Sequence, residues 1–305
     1  MECIEVISTS DIKLFHLVIE TVYASEKNYI PHLIEDVEAI LSSPKDHSNI
    51  KRWVILDNGK PVGRIAAFPT LTLNLGGLGF FECINDESIA HKLFATGINW
   101  LNEQGITKVQ APINRGERDK YWGLLIHGFT PNNYQENYNP VYYKRLFETY
   151  GFVPDFNQIT YRIDKNNFDV QRISRLYNRV IQNSNFRFNH FDIRYMEQFA
   201  IDFATIYNLA WQHKAEHSVL SKERVLELFK EMKPVLQDNL IWMAYHGNEP
   251  IGFFVNILEI NYALKYFKGK NSILGALQYF IKRKTNPPDT SRGIVFGIVP
   301  QYQND

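Results

Sequence analysis

Trp53 to Gly63 reads W-V-I-L-D-N-G-K-P-V-G, and Trp242 to Gly252 reads W-M-A-Y-H-G-N-E-P-I-G. The leading tryptophan, the Pro-x-Gly end and the length between them recur without a gap, and 242 − 53 and 252 − 63 both give 189. Each stretch is an apolar run, a polar turn and a second apolar run, the composition of a β-hairpin. In the first, the turn Asp57-Asn58-Gly59 is made of residue types that tolerate positive φ. Two such hairpins at a fixed offset predict a chain built twice from one unit.

The flanks agree. Cys3 to Ser8 is a short strand-like run, followed by a helical pattern of Leu14, Leu17, Val18, Thr21 and Val22. Before the second hairpin, Phe186 to Phe191 is strand-like and a helical stretch runs from Met196 to Trp211. The polar Lys165-Asn166-Asn167 interrupts the chain after the strand-like Ile159 to Ile163, and a bridging helix is expected over about 169–182. The expected domains are therefore 1–165 and 166–305. A chain of 305 residues suits two cores of about 150 residues each.

Lys plus Arg and Asp plus Glu are both 33, so no net field favours nucleic acid or an anionic membrane. Cys3 and Cys83 lie in strand-like contexts and are expected to be reduced core thiols. No secretory signal opens the chain and no run approaches the ~18 apolar residues of a bilayer span. The expectation is a soluble, cytoplasmic protein.

After its hairpin the first half continues from Leu71 to Ile84 as strand, glycine turn and strand. A helix over 86–104 follows, with Asn85 as candidate N-cap, a stripe of Ile89, Leu93, Phe94, Ile98 and Leu101, and Gly105 as stop. Ile106 to Ala111 is the next strand. Asn139 then caps a further helix, with Pro140 at its first position and Gly151 at its end. This order, closing on Gly151-Phe152, resembles the GNAT (GCN5-related N-acetyltransferase) superfamily. Gly293 to Gln303 resembles the GNAT strand that leads into the acyl-CoA pyrophosphate loop. The whole resembles the tandem GNAT-like proteins of bacteria, with a second unit that looks C-terminally incomplete.

The resemblance implies two α/β (α+β) units with mixed, mostly antiparallel sheets. It implies acetyl-CoA or another acyl-CoA in a cleft where two strands splay, with strand backbone pairing the pantetheine and a helix start holding the pyrophosphate. Carried onto this chain, the donor-binding residues are Phe81, Cys83, Ile84 and Ser88 in the first unit and Val299, Gln301 and Gln303 in the second. Two departures stand out. The first loop reads Asn85-Asp86-Glu87-Ser88-Ile89-Ala90, without glycine and with two carboxylates where phosphate charge would go. Phe147 stands where the usual tyrosine acid would be, leaving Tyr142 and Tyr143 as substitutes or as packing.

Glu82, set among Phe80, Phe81, Cys83 and Ile84, is either a desolvated general base or a side chain facing water by strand alternation. The polar-aromatic stretch 112–138, with Asn114, Arg115, Glu117, Arg118, Asp119, Trp122, His127 and Tyr138, and then Asn139, is the candidate substrate-facing surface. Lys282, Arg283 and Lys284 either meet a CoA phosphate or close a helix end. His213 and His217 lack a third ligand, so no metal is expected. The first reading is an N-acyltransferase acting on a small-molecule amine, with Glu82 and Tyr143 catalytic. The alternative is a non-catalytic GNAT-like module binding a small ligand or protein partner. An exposed strand edge in the second unit would favour a homodimer through that domain.

Overall fold

The computed structural model describes residues 1–305 except 43–49, 116, 117, 119, 165, 213–218, 234, 235, 271, 286, 287, 304 and 305. Thus Glu117, Asp119, His213 and His217 lie outside the described residues. The chain forms two compact units, Met1–Ile159 with Asn261–Asn286, and Thr160–Ile260 with Pro287–Asp305.

The first unit begins with β1 (Glu2–Glu5), α1 (Thr9–Val22) and α2 (Ile34–Leu41). Ser8 and Asp11 form a reciprocal capping box that fixes the start of α1. The hairpin is β2 (Lys51–Asp57) and β3 (Lys60–Pro69). Asn58 and Gly59 both take positive φ, as a type I′ turn requires. Next come β4 (Leu75–Cys83), α3 (Glu87–Glu103), β5 (Lys108–Gln110) and α4 (Tyr143–Tyr150). The sheet order is β1-β2-β3-β4-β5, antiparallel except for the parallel β4–β5 pair. Every residue of β3 from Val62 to Phe68 is buried. Its core partners include Phe15 and Val18 of α1 and Leu93, Phe94 and Leu101 of α3.

The glycines expected to turn between 71 and 84 instead sit inside one strand. A Cβ at Gly77 would strike the Phe68 ring, and one at Gly79 would strike the Ile113 carbonyl oxygen. They are there for close approach, not for a turn. The N-cap of α3 is Asp86 rather than Asn85, its carboxylate accepting from the Ser88 and Ile89 amides. Likewise Asn139 does not cap α4. Tyr142 holds the N-cap position without a side-chain cap bond, while Gly151 ends the helix at φ 110°.

The second unit contains α5 (Val170–Ile181), β6 (Phe186–His190), α6 (Met196–Trp211), α7 (Lys222–Met232), β7 (Ile241–His246) and β8 (Glu249–Leu258). Ile159 to Ile163 is not part of a strand. The segment holding α8 (Asn261–Leu264) and α9 (Ile273–Thr285) belongs to the first unit, and β9 (Ser291–Ile298) returns to the second. The order β6-β7-β8-β9 is antiparallel throughout.

The two hairpins carry the same pairing. Trp53 faces Ile65 and Trp242 faces Phe254, and each ladder shifts register at the same point, Ile55/Leu56 and Ala244/Tyr245. Their turns differ, since Gly247 takes positive φ at the first turn position, the II′ pattern. Met243, Tyr245, Phe253 and Val255 face Phe199, Phe203 and Phe229 from α6 and α7. On the opposite face His190, Trp242, Phe254 and Phe296 stand in one row across all four strands.

Candidate functional site

Strand β3 carries Arg64 directly opposite Glu82 of β4. Both are buried. A buried ion pair repays its desolvation only when further hydrogen bonds complete it, and here they do so for Glu82 Oε2, while the buried Arg64 Nε has no partner. Tyr23, at the end of α1, donates to Glu82 Oε2 at 2.7 Å, and Tyr143, opening α4, donates to the same oxygen at 2.7 Å. An Arg64 terminal nitrogen stands 3.6 Å from Oε1, while the other donates to the Phe15 carbonyl at 3.1 Å. The guanidinium also lies over the Phe15 ring, 4.7 Å from its centroid. Tyr29 stacks on Tyr23 at 3.6 Å.

Glu82 therefore does not face water. Phe80 takes φ 49° and the β3–β4 register shifts beside it, so strict alternation fails and Phe81, Glu82 and Cys83 are all buried. Burial raises the Glu82 carboxyl above its ordinary range, opposed by Arg64 and by the two tyrosine hydroxyls. About a tenth of the side chain stays accessible, 11%. Burial and the Glu82 charge hold the Tyr23 and Tyr143 hydroxyls protonated.

Tyr23 Oη is 2.7 Å from Glu82 Oε2 and 2.8 Å from the Tyr138 carbonyl. A hydroxyl has one proton and cannot serve both. With Glu82 ionised the proton goes to Oε2. With Glu82 protonated, the carboxyl can donate to Tyr23 Oη while Tyr23 donates to Tyr138. The cluster thus holds a proton at Glu82 by rotating hydroxyls, with no heavy atom displaced.

This cluster lies on the stretch of β4 that runs on beyond its pairing with β5. The two strands pair over Leu75–Gly77 with Lys108–Gln110, Ile113 adds a bond to the Leu78 carbonyl, and β4 then runs on without β5. The backbone expected to meet pantetheine is already engaged at Cys83. Its amide donates to Tyr143 Oη and its carbonyl accepts from Tyr142, both at 2.8 Å. Ser88, expected at the pyrophosphate, gives both its amide and its hydroxyl to Asp86. Arg145 pairs with Glu87 and with Asn85. The residues present at the start of α3 therefore do not fit a pyrophosphate. Phe81 packs on Phe94 and Ile84 packs at the core's edge. Cys3 and Cys83 are free thiols, as expected, with burial pushing Cys83 well above the usual range.

In the second unit β9 is a sheet edge. Val299 is buried, Gln301 reaches Glu249, and Gln303 donates to the Ile298 carbonyl. That unit also has an open cleft of about 570 Å³ lined by residues including Arg187, Tyr195 and Asp202. Its buried carboxylate, Asp202, is satisfied by Tyr245 at 2.6 Å and Gln198 at 2.9 Å.

The substrate-facing residues separate. Tyr138 joins the cluster through its carbonyl, and its hydroxyl reaches Glu26. Asn139 clamps Leu125 by accepting from its amide and donating to its carbonyl. Asn114 is buried and bonded to the Lys120 carbonyl, Arg115 is half-buried, and half-buried Trp122 lies under Arg118. Tyr23 and Arg64 were missed from sequence. Arg64 had a signal: it is a lone cation in the apolar run Val62 to Phe68, as Glu82 is a lone anion in its own.

No protein-family model matches the chain. It is 24% identical over 308 residues to Protein YghO of Escherichia coli (strain K12), covering 97% of this chain and 78% of that protein. It is 24% identical over 317 residues to the bacterial ceramide synthase of Caulobacter vibrioides (strain NA1000 / CB15N), covering 99% and 82%. Among solved structures, an aminoglycoside N-acetyltransferase in complex with CoA covers 53% of this chain and 99% of its own, at 12% identity. Its TM-score of 0.33 is too low to establish a shared fold. The topology stands by itself: the first unit is a five-stranded sheet whose β4 and β5 part after Leu78, followed by a helix closing on Gly151-Phe152, the order that the resemblance to the GNAT superfamily implies, and the second unit follows the order of its first four strands.

Proposed function

We propose that the chain is an N-acyltransferase that joins an acyl group, carried on coenzyme A, to an amine. The observation that carries this reading is Glu82: a buried carboxyl of raised pKa, held by Tyr23, Tyr143 and Arg64 at the splay of a GNAT-like sheet. Full-length similarity to a protein named ceramide synthase supports it, because a ceramide is the amide of a long-chain amine and a fatty acid.

An amine is a nucleophile only when uncharged, so the site must take its proton. Glu82 Oε2 takes it, and Tyr23 turns its own proton to the Tyr138 carbonyl. Burial raises the Glu82 carboxyl and so makes it a better proton acceptor, while Arg64 opposes burial and favours the ionised form that can take the proton. Tyr143 holds Oε2 in place through its second bond to Cys83. Coenzyme A would supply the activated thioester. The first unit lacks the usual cradle for its pyrophosphate, the amides at the start of α3 being held by Asp86.

The second reading, a GNAT-like module without catalysis, is favoured by one observation: Tyr142, Tyr143 and Asp86 already hold the groups that would bind the donor. Release of free CoA thiol, measured with acetyl-CoA and a long-chain acyl-CoA against a series of amines, separates the two. Amine-dependent release that falls about 10²–10⁴-fold in Glu82→Gln supports the enzyme. No release with any amine, together with no calorimetric heat at millimolar acyl-CoA, would leave the binding module.

A further inference from the structure

Helix α5 (Val170–Ile181) has no buried residue at all. Val170, Ile173, Leu176, Tyr177, Val180 and Ile181 are each 36–60% exposed. At 100° per residue these six fall within one arc of roughly 140°, and Arg172, Arg175 and Arg179 occupy the opposite side. A helix that is apolar on one side, with none of that side buried and only light contact with the neighbouring strand β6, draws little of its stability from the core of its own unit.

The charge says what it meets. Between Asp169 and Asp192 the chain holds Arg172, Arg175, Arg179, Arg187 and His190 and no acid. The balanced total of 33 cations and 33 anions is a sum over the whole chain and hides this stretch. A second copy of the helix would cover the apolar side but leave the arginines on the opposite side without an anionic partner, whereas an anionic surface with an apolar interior satisfies both sides at once. Twelve residues span about 18 Å, too short to cross a bilayer but long enough to lie in its interface.

We propose that α5 is a docking helix for an anionic lipid surface, its Ile173–Leu176–Tyr177 side sunk among acyl chains and its arginines at the phosphates. The inference stands on the helix alone and does not depend on the proposed reaction.

The test is sedimentation of the full chain with sucrose-loaded vesicles, either phosphatidylcholine alone or phosphatidylcholine with about a third phosphatidylglycerol. Each arginine near an anionic surface contributes about fivefold, so three predict about 100-fold tighter binding to the anionic vesicles. The triple variant Arg172→Ser/Arg175→Ser/Arg179→Ser should lose that preference, and Ile173→Glu/Leu176→Glu should abolish binding to both. Hydrogen exchange on the unaltered chain gives a reading independent of variant folding: amides 170–181 should gain protection with anionic vesicles. Binding that both variants keep, or no gain in protection, overturns the proposal. So does sedimentation equilibrium showing a dimer that Ile173→Glu/Leu176→Glu dissociates while vesicles leave the chain in solution.

Discussion

Replacing Tyr143 by Phe removes one oxygen that makes two bonds, accepting from the Cys83 amide and donating to Glu82 Oε2. A buried amide left without a partner costs roughly 1–3 kcal/mol, and a hydrogen bond to an ionised group contributes about 1.5–3 kcal/mol. The second cost depends on pH. Burial raises Glu82 above its ordinary 4.5, so the unfolded chain releases this proton first as pH rises. Stability is therefore lost as pH climbs above about 4.5 toward the raised folded value, and losing the Tyr143 donor raises that value further. Near pH 4 the carboxyl is mostly protonated in both states, and Tyr143→Phe should cost roughly 1–3 kcal/mol, the orphaned amide. At pH 8 the lost bond to the charged carboxylate adds to this, and the cost should reach about 2.5–6 kcal/mol. With a urea slope of about 2 kcal/mol per molar, the midpoint at pH 8 falls by roughly 1–3 M. Pulsed hydrogen exchange through a urea series, read on peptides of 51–83, follows the first unit without interference from the second. Equal destabilisation at both pH values would refute the coupling of Tyr143 to the Glu82 charge.

Arg64→Met leaves Glu82 buried without its cation and should cost about 3–5 kcal/mol at pH 8, with much of that regained in Arg64→Met/Glu82→Gln; a double variant no more stable than the single one breaks the argument. Gly79→Ala forces a Cβ onto the Ile113 carbonyl, so β4 and β5 should lose amide protection together while β1–β2 keeps theirs. Asn139→Ala should release the clamp on Leu125 and expose amides 123–139 to exchange, at a global cost of roughly 1–3 kcal/mol; unchanged exchange there would return Asn139 to a ligand-facing role.

Local patterns were legible. Apolar runs and turn composition gave both hairpins, and the helices expected over 169–182 and 196–211 match α5 and α6 to within a residue. What failed was context. Gly76, Gly77 and Gly79 carry the composition of a turn, and only the Leu101 side chain, the Phe68 ring and the Ile113 carbonyl packed against them show why a strand needs them. Asn139-Pro140 carries the composition of a helix start, but the asparagine is claimed by Leu125, 14 residues earlier in the chain. Glu82 was found, but its orientation depends on a backbone bulge with no sequence mark. Its partners Tyr23 and Tyr143 lie 59 and 61 residues away, distances over which no periodicity speaks. The Arg64–Glu82 pair was the readable exception, two opposite charges each alone in an apolar strand.

The two matched tryptophans differ in their surroundings. Trp53 is 6% exposed and packs edge-on against Trp100 of α3, whereas Trp242 is 37% exposed and stacks on His190 at 4.2 Å. Indole emission moves to longer wavelength as water reaches the ring, so the same residue at the same rung of two hairpins should emit at different colours. The chain carries its own optical reporters: melting of the first sheet should redden Trp53, while Trp242 starts red and should change more in intensity than in wavelength. With Trp100, Trp122 and Trp211 replaced by Phe, a single unfolding trace collected at several wavelengths would then resolve which hairpin opens first, with no label attached.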